Sequence, residues 1–196
     1  MRYISVLALF LLTACAQGVP PLNFSVPNVG PSRVHIPAEV KSITVSMARP
    51  DEQTSRPLRA GNETIAPYWK AAIEEALNKM VIFQDDAPKK VSLSVKVLKI
   101  DTPTAGISMT TDVGARYEIL DRGNGAVIFT TDINTRGTTP GDFAFLGLAR
   151  ARESVNRAVQ NNILQFLQAL ETVDINRPMI PAVQPAVIRP PTRPAG

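Results

Sequence analysis

The chain has 196 residues, with 21 Lys or Arg against 17 Asp or Glu and a formal net charge of +4. An apolar fraction of 44% suits a globular domain with flexible ends, and so small a charge excess makes no electrostatic case for nucleic acid. One cysteine and one histidine exclude an internal disulfide and a Cys/His zinc site.

In chain order, Met1-Arg2-Tyr3 places a positive charge ahead of residues 4–12, which are apolar except for Ser5. That run is too short to span a bilayer, which takes about 20 apolar residues. With the small residues behind it, it has the three parts of a secretory signal peptide. Its end, Leu12-Thr13-Ala14-Cys15, resembles the lipobox of bacterial lipoproteins. The resemblance implies export, a diacylglyceryl group on the Cys15 thiol, cleavage before Cys15 and attachment to a membrane by acyl chains such as palmitate. Lipidation would also remove a lone thiol that is a liability in an oxidising compartment. Ala16 and Gln17 follow the cysteine, with no Asp. By analogy with the family, that places the protein on the outer membrane, facing the periplasm.

Residues 15–39 read as the lipidated cysteine followed by an extended tether, because Pro20, Pro21, Pro27, Pro31 and Pro37 remove backbone donors and fix dihedrals. Residues 41–48 alternate, with Ile43, Val45 and Met47 on one side, which predicts a strand with one buried face. A polar loop follows. A helix begins near Asn62, capped there or started by Pro67, with Trp69, Ile73, Ala76, Leu77 and Met80 on one face. Three strands come next. Val91, Leu93, Val95 and Val97 mark one; Val113, Ala115, Tyr117 and Ile119 the second; Val127, Phe129, Thr131 and Ile133 the third. Asp121-Arg122-Gly123-Asn124-Gly125 joins the last two as a hairpin turn. Residues 138–142 close the sheet, and a long helix over 143–171 carries Leu148, Val155, Val159, Ile163, Phe166, Leu167 and Leu170 at helical spacing. Residues 172–196 are proline-rich and basic, and are expected to be a disordered tail.

The order β-α-β-β-β-α predicts an α+β two-layer sandwich over residues 40–171: an antiparallel sheet of about four strands with two helices on one face. This order resembles that of the YajG-type lipoproteins and of the auxiliary lipoproteins of envelope ABC transport systems. The residues that carry the likeness are Ala71-Ala72-Ile73-Glu74-Glu75-Ala76-Leu77, the strand Ala115-Arg116-Tyr117-Glu118-Ile119-Leu120-Asp121 with Gly125 behind it, and the late helix with Asn161-Asn162-Ile163-Leu164-Gln165-Phe166-Leu167. The resemblance implies a periplasm-facing module that binds a partner, and brings no catalytic residue with it.

The residues themselves offer no catalytic set. His35 lies in the proline-rich stretch, Asp85 and Asp86 are adjacent and diverge, and no glycine cluster sits between a strand and a helix to cradle phosphate. No metal or cofactor is expected. Binding candidates are Phe143, Phe145, Arg150, Arg152 and Arg157. The two phenylalanines are expected to fill the core where the last helix starts, and form an interface patch if exposed. The arginines are either a solvated face or a patch for lipid headgroups or another anionic partner. A sheet edge that adds a partner's strand is a further surface. The expectation is a non-enzymatic envelope lipoprotein that supports assembly or transport through contact with another protein and touches the membrane through lipid on Cys15. The alternatives are an envelope enzyme acting on lipid or cell wall, and a lipid- or glycan-binding module.

Overall fold

The computed structural model describes residues 18–54 and 64–182. Cys15, Asn62 and residues 183–196 lie outside the described residues. Six elements follow in chain order: β1 (Glu39–Met47), α1 (Ile65–Met80), β2 (Lys90–Asp101), β3 (Met109–Asp121), β4 (Val127–Thr139) and α2 (Gly147–Leu170). The expected α+β architecture and order are present. Spatial order equals chain order, β1-β2-β3-β4.

One pairing differs from expectation. β2, β3 and β4 run antiparallel, but β1 pairs with β2 in parallel, Ile43 opposite Leu93, Val45 opposite Val95 and Met47 opposite Val97. The sheet is therefore mixed. The cause is α1: a helix between two neighbouring strands carries the chain back along the sheet, so the second strand sets out in the same direction as the first. β2 also departs from strict alternation. Val97 and Leu98 are both buried, where a register shift between Val97 and Lys99 adds a residue.

Both helices cover one face. α1 buries Ile65, Trp69, Ala72, Ile73, Ala76, Leu77 and Met80. α2 buries Val159, Ile163, Phe166, Leu167 and Leu170 in its second half, but only small or polar residues such as Ala149, Ser154 and Ala158 in its first. The small residues have a geometric partner. A Cβ on Gly137 of β4 would lie 2.2 Å from the Ala158 nitrogen, so helix and strand touch backbone to backbone there.

A chain of buried polar groups joins the layers. Trp69 Nε1 donates to the Tyr117 hydroxyl (3.3 Å), which donates to Asn162 Oδ1 (2.7 Å). Asn162 Nδ2 donates in turn to the Ile133 carbonyl (2.9 Å) and to Thr135 Oγ1 (3.2 Å). The Tyr117 ring stacks on Phe166 with centroids 4.2 Å apart. Burial pushes the phenol well above its ordinary pKa, so it stays protonated and donates. The opposite face of the sheet is polar. There Arg116 binds Asp132 through two bonds (2.6 and 2.8 Å) and Arg136 binds Asp112 (2.9 Å), each pair being cross-strand neighbours.

The segment expected to be a tether is, from Gly18 onward, part of the folded body. Phe24, Val26, Ile36 and Ala38 are buried in the core, and Phe24 meets Trp69 edge-on at 6.2 Å. Ser25 donates to Glu75 on α1 (2.5 Å), while Asn156 and Gln160 on α2 donate to the carbonyls of Pro21 (3.1 Å) and Asn23 (3.0 Å). The strap thus binds both helices. Its prolines fit because their positions need no backbone donor; Ser32 and Ile36 supply theirs to Met80 and Ile82. The start of the expected tail is also docked. Ile175 is buried, and Ile180 pairs antiparallel with Val127 on the edge of β4.

Candidate functional site

Three chain segments meet at one end of the sheet. β2 ends at Asp101, and residues 102–108 lead into β3; β4 ends at Thr139, and residues 140–146 lead into α2. Met109 pairs with Thr139, so the two loops leave the sheet side by side. They also touch, since a Cβ on Gly141 would lie 2.6 Å from Ile107 Cγ2. The third segment is the start of the strap. Gly18 and Pro20 share a cleft of ≈ 210 Å³ with Phe143, Ala144 and Ala149.

Arg150 ties the loops together. Its Nη1 donates to the carbonyls of Ala144 (2.6 Å) and Phe145 (2.9 Å), and its Nη2 to that of Gly106 (3.1 Å). With the backbone carbonyls engaged, the apolar side chains of the tip stand in solvent. Phe145 is 102% exposed, Ile107 84%, Leu148 59% and Leu146 47%. Phe143 is exposed too, with the Arg157 guanidinium 5.5 Å over its ring. Arg157 also donates to Glu153 (2.9 Å) and to the Thr138 carbonyl (2.9 Å). Arg152 makes no ion pair or hydrogen bond among the described residues; it lines, with Pro103, Ala105, Met109 and Leu148, an open cleft of ≈ 630 Å³.

The five binding candidates therefore gather at one place, in three different roles: Arg150 clamps the loops, Arg157 braces Phe143 and β4, and Arg152 is half-buried on the rim. The expectation that Phe143 and Phe145 fill the core is corrected. The helix begins at Gly147, not near 143, because Leu146 is extended (φ −76°, ψ 118°). Both rings thus sit on a loop outside the helical stripe. Leu148, expected on the buried stripe, is exposed because the first turn of α2 projects past the sheet: Gly137 already lies under Ser154 and Ala158, and β4 stops two residues later.

A second surface runs along the outer edge of β1, which among the described residues pairs with β2 alone. An open groove of ≈ 450 Å³ lies there between the strand and α1, lined by Val40, Ile43, Leu77, Val81 and Phe83 among others. His35 is exposed on the strap, and Asp85 and Asp86 are exposed in a turn. Among the described residues no group of three or more His, Cys, Asp or Glu is placed to hold a metal ion.

No protein-family model matches the chain, and no curated protein does. Solved structures do. A protein from Xanthomonas campestris of the DUF330 family is 11% identical, with a TM-score of 0.52 over 78% of this chain and 92% of that one. PelC from Paraburkholderia phytofirmans, a dodecamer in its crystal, is 17% identical, with a TM-score of 0.43 over 72% and 92%. A minor lipoprotein from Acinetobacter baumannii is 14% identical, with a TM-score of 0.37 over 74% and 97%. The first of these likenesses shows a shared fold.

Proposed function

We propose that the protein is a lipoprotein of the bacterial cell envelope that supports assembly or transport through protein contacts, without catalysis, on the periplasmic side of the outer membrane. The observation that carries this reading is Leu12-Thr13-Ala14-Cys15 behind a charged start and an apolar run, with Cys15 the only cysteine. The folded body adds support for a contact role. Buried polar side chains such as Tyr117 and Asn162 are engaged in joining α2 to the sheet, and Asp132 and Asp112 on the sheet's other face are paired with arginines. The outer edge of β1 and its groove are the surface suited to an extended segment of a partner, where backbone hydrogen bonds give affinity and a lining of mixed character, apolar at Ile43 and Phe83 and charged at Lys41 and Glu74, accepts side chains.

Two measurements test the two halves separately. Mass spectrometry of the mature N-terminal peptide is expected to find acyl groups on Cys15, and Cys15→Ser is expected to leave an uncleaved precursor. A Cys15→Ser chain processed and membrane-bound at the normal level would refute the anchor. Photo-crosslinking from exposed Thr44 on β1, in intact cells, is expected to capture one envelope protein. An acylated chain that yields no crosslinked protein would leave the anchor standing and reject the contact role.

A further inference from the structure

We infer that the loop tip carrying Ile107, Phe145, Leu146 and Leu148 is seated in the surface of the membrane that holds the Cys15 lipid. The inference rests on the lipoprotein reading and adds the orientation of the domain and the surface that meets the bilayer.

The first ground is where the chain enters the fold. Gly18 and Pro20 line one cleft with Phe143, Ala144 and Ala149, beside the tip. The entry is fixed there, because Asn156 donates to the Pro21 carbonyl (3.1 Å) and accepts from the Asn23 amide (3.1 Å). The second ground is reach. Three peptide steps separate Cys15 from Gly18. A fully extended chain covers at most about 3.3–3.6 Å per residue, so Cys15 stands within about 10 Å of Gly18. A lipidated residue lies at the membrane surface, so Gly18 is held within that distance of it, and the tip adjoins Gly18 through Phe143 and Ala144. The long tether that composition suggests would have left orientation free; the docked strap removes that freedom.

The third ground is the chemistry of the tip. Ile107, Phe145 and Leu146 project from loops and Leu148 from the first turn of α2, and Arg150 engages three of the loop carbonyls, which lowers the cost of taking the tip into the boundary region. A depth of roughly 5–10 Å is typical of surface-seated apolar groups. On the rim, Arg152 has no partner among the described residues and is available to anionic headgroups, while Asp142 is the exposed acid next to Phe143. Another exposed apolar pair, Met179 and Ile180, lies at the far end of β4, where the tail pairs with the strand and away from the chain entry.

The test uses the full-length protein purified from membranes and reconstituted into vesicles of phosphatidylethanolamine and phosphatidylglycerol. Acylation consumes the Cys15 thiol, so Phe145→Cys, Ile107→Cys and, at the opposite end of the strands, Arg122→Cys each give one site for an environment-sensitive fluorophore. All three positions are exposed; Arg122 also donates to Ser42 (3.3 Å) and Ser92 (3.2 Å), and a thermal melt of each variant checks that the fold is kept. Labels at 145 and 107 are expected to shift to the blue and to lose most of their emission to a quencher placed shallowly in the acyl chains, while the label at 122 does neither. Labels at 145 and 122 that behave alike on vesicles, with Cys15 acylated by mass spectrometry, overturn the inference and leave the anchor intact. Shielding at 145 in native membranes without quenching in pure lipid overturns it in favour of a protein partner. Absence of acyl groups from Cys15 overturns the lipoprotein reading and this inference with it, and the mass measurement identifies that case.

Discussion

Val81 closes α1 at φ 50°, in the left-handed region, with its amide donating to the Leu77 carbonyl (3.1 Å) and its side chain largely in solvent. Left-handed backbone costs an L-residue about 1–2 kcal/mol, and a β-branched side chain suits it poorly. Glycine loses more entropy on folding, which offsets part of that cost. Val81→Gly is therefore expected to stabilise the domain by about 0.5–1 kcal/mol in urea unfolding; a loss of stability would show that the valine side chain packs to more effect than its exposure indicates. Tyr117 is the opposite case. Tyr117→Phe keeps the stacked ring but leaves Trp69 Nε1 without its acceptor and Asn162 Oδ1 without its donor, both buried. The expected cost is about 1–3 kcal/mol by the same measurement. Residue types alone did not disclose this pairing, since Tyr117 and Asn162 lie on different elements. Nor did they disclose that Phe145 faces water, because an aromatic beside a helix start has the same composition whether it points in or out.

Among the elements, periodicity was a good guide to existence and type. Alternation located all four strands, and three- and four-residue spacing located both helices. What periodicity does not carry is a strand's direction relative to its neighbour, so the parallel β1–β2 pair was not legible. It also ran the last helix back to residue 143, since Leu148 falls in phase with Val155 and Val159, and nothing local reports that the sheet has ended beneath it. The contact that positions α2 is at Gly137. Gly137→Ala would drive a methyl into the Ala158 nitrogen and the Ser154 carbonyl at 2.2 and 2.4 Å. Backbone cannot yield as a flexible side chain does, so the loss is expected to reach at least about 1–3 kcal/mol, read as a lowered thermal midpoint. An unchanged midpoint would mean that α2 can lift from β4 at little cost.

For the molecule as a whole, the largest difference from sequence-based expectation is the strap. Proline reports missing donors, not missing contacts, and the strap's partners are far away in the chain; Asn23 and Asn156 are 133 positions apart. Phe24→Ala is expected to cost about 3–5 kcal/mol, as for a buried phenylalanine, whereas a tether would tolerate it; denaturant unfolding separates the two. The loop after β1 adds a pH dependence. Lys96 donates to Glu52 (2.7 Å), as does the Arg49 amide (3.1 Å), and these bonds hold the Glu52 carboxyl down to about 2. Folding favours the ionised form, so the contribution is fully present above the ordinary value of 4.5 and is lost as pH falls through about 2. Glu52→Gln is expected to flatten the fall in thermal midpoint between those two pH values; parallel curves for the two proteins would refute the assignment.

The strap also sets a schedule. It is made early, but its partners on α2 follow more than a hundred residues later. At a synthesis rate of about 5–20 residues per second, the 133 positions between Asn23 and Asn156 correspond to a wait of about 7–27 s. During that time Phe24, buried in the finished fold, can meet Trp69 on α1, but the hydrogen bonds from Asn156 and Gln160 are still to be made. Docking of the strap is thus completed only once α2 has been made.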